Sequence, residues 1–245
     1  MSSGRGLVRS SGRGTARRWS ALVVVAGLAA CTGSGTGTLS PTSGAGGNDA
    51  SGSDATVPSG GTGTAGTSSS GTSVAPAAAE ALVDTFDPAD AASARRLADG
   101  RADPAVVSVA GERLRAGATG HVAWAAVYVW ANEGDDVALL RPRLADPDVG
   151  IRLMAAAGTI MRGDAAGFVP LVELLTSDEP SSGWIPPGPA WLTATTALVR
   201  ATADATLGPP GDATPEQRAL ARQRWTAWLA KGPRWDTQEQ RWVAG

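Results

Sequence analysis

The sequence predicts an all-α domain over residues 76–245, arranged as a short α-solenoid of antiparallel helix pairs. Three observations point there. Asp-Pro and Thr-Pro pairs mark helix starts, apolar residues recur at helical rather than strand spacing, and a pattern of about thirty residues repeats inside the segment.

The helix starts come first along the chain. Asp87-Pro88, Asp103-Pro104 and Asp146-Pro147 each place a side-chain acceptor at an N-cap and a proline at the first helical position, where its missing N–H costs nothing. Thr214-Pro215-Glu216-Gln217 adds a glutamine three residues on, which makes a capping box. Between these marks the apolar spacing is helical. Val107, Ala110 and Leu114 form a short stripe, and Val122 to Ala131 is apolar on every side, so that helix should be central. Val149, Leu153, Ala156, Ala157 and Ile160 form one stripe, and Phe168, Leu171, Val172 and Leu175 form the next. Ala221, Trp225, Trp228 and Leu229 form the last. Pro142 would remove a hydrogen bond from a helix over 137–144, which should therefore be short or kinked. Only the tail around Arg241-Trp242-Val243 alternates with period two, where Trp235 and Trp242 would build either a hairpin lid or a docked coil over the final repeat.

The repeat is carried by Ala125-Ala126 and Ala155-Ala156, by Gly134-Asp135 and Gly163-Asp164, and by Leu140 and Leu144 with Leu171 and Leu175, at offsets of 29 to 31 residues. A drifting period of that length made of two helices is a solenoid signature. The stretch holding Leu144, Asp146, Val149, Arg152, Ala155, Ala156 and Ile160 resembles the HEAT-like repeats of bacterial proteins, and Trp191 to Trp228 resembles their closing repeat. In such a repeat Ala155 to Ala157 permit close packing, Arg152 can reach Asp148 one turn earlier, and Asp135, Asp164 and Asp178 lie in turns. The stretch from Gly183 to Trp191 interrupts the period. Insertions in solenoids collect on one face, often the binding face, so Trp184 and Trp191 are the candidate binding residues. Capping of the stack's apolar edge is the simpler role for Trp184.

Ahead of the helical segment the chain changes character. Arg5, Arg9, Arg13, Arg17 and Arg18 precede an unbroken apolar run of ten residues, Ala21 to Ala30, which is the order of an export signal. Ten helical residues rise only ~15 Å, about half of a ~30 Å hydrocarbon core, so this run is a poor permanent membrane span. Arg17-Arg18 fits a twin-arginine route or a generally basic leader, and the three other arginines favour the latter. Leu28-Ala29-Ala30-Cys31 resembles the lipobox of bacterial lipoproteins. That resemblance implies that residues 1–30 are a cleaved signal peptide and that Cys31 is the lipidation site, carrying a thioether-linked diacylglycerol. The mature chain would then be held to the cell membrane on its extracytoplasmic face. Two acyl chains anchor stably because each buried methylene contributes ~0.8 kcal/mol. Residues 31–75 should form a disordered tether, since Thr32 to Val74 is almost entirely Gly, Ser, Thr and Ala, with Leu39 and Val57 the only sizeable aliphatics. Such a tether spans roughly 35–40 Å.

Composition narrows the chemistry. Without residues 1–30 the chain keeps 16 basic residues against 23 acidic ones, which argues against nucleic acid as a partner. Cys31 is the only cysteine, so neither an intramolecular disulfide nor a thiolate metal site is expected. His121 is the only histidine and belongs near a helix N-terminus. Glu133, Asp135, Asp136, Asp146 and Asp148 fall at helix junctions and lack the spacing of a calcium loop. No Gly-x-Ser-x-Gly, phosphate-binding loop or His-Glu-x-x-His occurs, and no catalytic residue, metal or cofactor is expected. The functional expectation is a membrane-anchored lipoprotein whose helical repeats bind a protein partner. The alternatives are a cell-wall glycan binder using exposed Trp184 or Trp191 and, because some HEAT-like proteins are chromophore lyases, a lyase-like enzyme.

Overall fold

The computed structural model describes residues 73–181 and 188–245. These are mostly helical and include one two-stranded antiparallel sheet. Cys31, the segment assigned to the tether up to residue 72, and Trp184 lie outside the described residues.

The helices are α1 (Pro76–Asp84), α2 (Ala91–Gly100), α3 (Pro104–Arg115), α4 (Gly120–Glu133), α5 (Val149–Ile160), α6 (Phe168–Leu174), α7 (Ala190–Thr202) and α8 (Pro215–Leu229). Two of the four marked starts stand where the sequence puts them. Asp103 accepts from the Ala105 amide at the head of α3, and Thr214 and Gln217 cap α8 reciprocally. The other two shift. Helix α2 is capped by Asp90, whose carboxylate accepts from the amides of Ala92 and Ser93, while Asp87 accepts from Ala89 in the turn before it. Likewise α5 is capped by Asp148, and Asp146 accepts from the Asp148 amide. In both places a second aspartate follows within three residues and takes the cap, leaving the Asp-Pro pair to make the preceding turn.

Packing follows the apolar residues. Helix α4 buries Ala123 through Trp130 against α3 and α5, as its uniformly apolar sequence predicts. Helix α5 buries every residue except Arg152, so it is central as well, and not the single-striped helix its spacing suggested. It packs against α4, α6 and α7, and α6 packs in turn on α7 and α8. The α4–α5 contact is close because Gly158 has no side chain. A Cβ there would lie 2.7 Å from the Ala131 Cβ and 2.9 Å from its Cα. At the other end α1 lies across α3 and α4, and Phe86, Trp124 and Tyr128 stack in succession at 4.8 and 5.7 Å between ring centres.

The segment 137–144 is not one helix but two 3-10 turns, Val137–Leu139 and Arg141–Ala145, with Pro142 near the start of the second. The first of these belongs to a local pattern that occurs three times. After α4, α5 and α7 an aspartate (Asp136, Asp164, Asp204) accepts the amide two residues on (Ala138, Ala166, Thr206) and opens a 3-10 turn. The tail takes the hairpin form. Strands β1 (Arg234–Asp236) and β2 (Arg241–Val243) pair with Trp235 opposite Trp242. The Trp242 indole N–H donates to the Ile160 carbonyl at 2.7 Å and the ring meets Phe168 edge-on, so the hairpin docks on the end of α5. Trp235 lies over Gly163, whose φ of +76° and crowded Cβ position both require glycine.

Candidate functional site

The C-terminal ends of α4, α5 and α7, one face of α3 and the C-terminal hairpin together wall a cleft of about 1060 Å³. Ligand clefts typically hold ~300–1,000 Å³, so this one stands at the upper end of that range. Its apolar lining includes Trp130, Met161 and Trp235, and its cationic lining is Arg115, Arg162 and Arg200.

Each of these side chains is set by the helix that carries it. Trp130 is buried in the last turn of α4, its indole N–H donating to the Asp136 carbonyl at 2.7 Å. Arg115, closing α3, places its guanidinium 5.9 Å from the Trp130 ring centre, a cation–π contact. Arg162 lies two residues beyond α5 and reaches back across the helix ends. Its Nη1 donates to the carbonyls of Ala131 and Gly158 at 2.7 and 2.9 Å, and its Nη2 donates to that of Trp130 at 3.1 Å. A cation on the carbonyl termini of two helices offsets the negative ends of both. Burial lowers the pKa of this guanidinium, opposed by the charges of Asp135 and Glu133, but an arginine stays charged. None of the ion pairs shorter than 4.0 Å among the described residues includes Arg115, Arg162 or Arg200. The carboxylate of Glu133, on the same rim, is instead 3.2 Å from Arg101. Arg101 also bonds Tyr128, whose phenol burial pushes above its ordinary range while the guanidinium draws it back.

Of the residues singled out from sequence, Glu133 and Asp135 line this cleft, and Trp191 stands elsewhere. Trp191, in the first turn of α7, is only 7% exposed and lies under the Arg218 guanidinium, 5.3 Å from its ring centre. It is not the exposed stacking face that a glycan would need. Arg218 is itself held by Asp178 through two bonds of 2.6 and 3.0 Å, and it keeps that carboxyl below the usual carboxylate range. Trp184 lies outside the described residues, but both ends of its segment are fixed. The Ser181 amide and hydroxyl donate to the Gly188 carbonyl, and the amides of Ala190 and Trp191 donate to the carbonyls of Glu179 and Ser177. His121 is exposed in the first turn of α4. Asp136, Asp146 and Asp148 accept backbone amides at turns and caps. Among the described residues no three His, Cys, Asp or Glu side chains converge as metal ligands, and no helix is long and apolar enough to cross a membrane.

Sequence reasoning missed Arg162 and Trp130. The available signal was local: a lone arginine directly after the apolar run of α5, and a tryptophan at the end of the apolar run of α4. Comparison with protein families, with curated proteins and with solved structures finds no match to this chain.

Proposed function

We propose that this chain is an exported lipoprotein, anchored through Cys31 and a Gly/Ser/Thr-rich tether, whose helical domain is a short α-solenoid of HEAT-like repeats that binds a protein partner at the extracytoplasmic face of the cell membrane. The lipobox-like run Leu28-Ala29-Ala30-Cys31 supports the anchor. The thrice-repeated order of helix, Asp-opened 3-10 turn and second segment supports the repeat reading.

The observation that carries the binding role is the cleft. Solenoids bind along surfaces built by equivalent ends of successive repeats, and here α4, α5 and α7 all bring their C-terminal ends to one opening of about 1060 Å³. The glycan alternative loses Trp191 to burial. Crosslinking in intact cells followed by purification of the full chain tests the reading. A partner recovered reproducibly, and reduced by blocking the cleft with Ser108→Trp, is the expected result. Recovery of no specific partner across growth conditions contradicts it.

A further inference from the structure

We infer that Arg162 is a carboxylate-recognition point in the cleft, which takes an extended peptide segment of the partner and reads an Asp or Glu side chain near the middle of that segment. This rests on the binding role proposed above and names the chemistry of the ligand.

A guanidinium has five N–H donors in one plane. Arg162 uses three of them on the carbonyls of Ala131, Gly158 and Trp130, which leaves Nε–H and one Nη2–H. Those two nitrogens form the edge that forks onto a carboxylate, as Arg113 does with Asp84 through Nε at 2.7 Å and Nη2 at 2.6 Å. No hydrogen bond within the described residues engages the Arg162 Nε, whereas the Nε of Arg101 faces the Glu133 carboxylate at 3.2 Å. Its guanidinium is therefore held by three protein bonds while Nε–H and one Nη2–H bond nothing else among the described residues. That is preorganisation, and the ordering cost of a long side chain is already met before a ligand arrives.

The surroundings select the class of ligand. Arg162 follows α5, which packs on α4 and on α7, so a segment laid from α3 towards the hairpin would meet it with an internal side chain. Arg115 and Arg200 add positive charge on either side, and Met161 and Trp235 offer apolar contact to flanking side chains. Asp135 and Glu133 are the resident opposing charges, and Glu133 is already paired with Arg101. A lipid headgroup layer fits less well because the lining is concave and the three arginines line a cleft rather than a flat face.

The test is selection of a phage-displayed heptapeptide library on the full chain, followed by titration of a selected peptide. The expected result is one shared Asp or Glu position, at least tenfold weaker binding when that residue is changed to its amide, and loss of the acid preference in Arg162→Gln. Asp135→Asn, on an exposed residue whose replacement does not threaten the fold, should tighten the acidic peptide about three- to tenfold by removing the competing charge. This second variant keeps the inference testable if Arg162→Gln does not fold. Selection without an acidic position, an acid preference that survives Arg162→Gln, or an Asp135→Asn variant with unchanged affinity overturns the inference. So does equal competition by inorganic phosphate, by anionic phosphatidylglycerol vesicles or by an alanine peptide with only its free terminus. A partner crosslinked from the outer surface of α8 alone would overturn this inference and the cleft as the binding surface while leaving protein binding as such, whereas no partner anywhere would remove the binding role and leave the measured peptide chemistry standing.

Discussion

Replacing Trp242 should destabilise the whole helical domain, because the hairpin that carries it is part of the core. Its indole is 4% exposed, lies edge-on to Phe168 at 5.2 Å between ring centres and to Trp235 at 5.5 Å, and donates its N–H to the Ile160 carbonyl. Truncation of a buried tryptophan to alanine costs ~3–5 kcal/mol. For a domain of this size each kcal/mol lowers Tm by roughly 2–4 °C, so Trp242→Ala should melt roughly 6–20 °C lower. Trp242→Phe keeps an aromatic ring against Phe168 but loses the N–H donor. The Ile160 carbonyl still accepts from the Gly163 amide at 3.1 Å, so it is not orphaned and the loss should be only ~1–2 kcal/mol. Urea unfolding of the chain from residue 32 onward, followed by circular dichroism, measures both. A Trp242→Ala variant within 1 kcal/mol of wild type, at unchanged m value, would refute the reasoning and make the hairpin an appendage.

Three further outcomes follow from named contacts. Gly158→Ala gains ~1 kcal/mol of helix propensity but must part α4 from α5, an overpacking cost of ~1–3 kcal/mol, so its urea midpoint should fall; a rise would show that the two helices separate freely. Arg113 bonds Asp84 through two nitrogens and holds its carboxyl below the ordinary 3.8, so this contribution is present above that value and lost as pH falls through the folded-state pKa. Asp84→Asn should therefore lose less stability than wild type between pH 6 and pH 3, and equal losses in urea titrations at the two pH values would contradict the pairing. Cys31→Ala should leave residues 1–30 attached and the diacylglycerol absent, and the intact mass checks both; a product that is still cleaved before residue 31 and lipidated would contradict the assignment.

The legible part of the fold is the part written in short-range chemistry. The apolar run of α4, the capping box at Thr214 and the Asp103 cap each depend on residues within one turn, and each is where the sequence places it. The displaced starts at Asp87 and Asp146 show the limit of that chemistry. Two aspartates within three residues compete for one cap, and the spacing alone does not say which side chain faces the free amides. Helix α5 reads as one stripe because its glycines and alanines score as weakly apolar, yet small residues are what allow helices to close on it from several sides. The cleft was not legible because it is assembled over long distances. Arg162 meets Trp130 and Ala131 from about thirty residues away, and Trp235 arrives from the far end of the chain. Trp191 misleads for the same reason. The arginine that covers it is supplied by the next helix, α8.

Site-specific photocrosslinking from the full chain in the cells that produce it tests the central claim most directly. A benzophenone side chain at Ser108 faces the cleft, and one at Ala227 faces outward from α8. The account predicts a discrete protein adduct from Ser108 that is absent from Ala227 and diminished by Arg162→Gln or by excess acidic peptide. Adducts from Ala227 but none from Ser108 would contradict it.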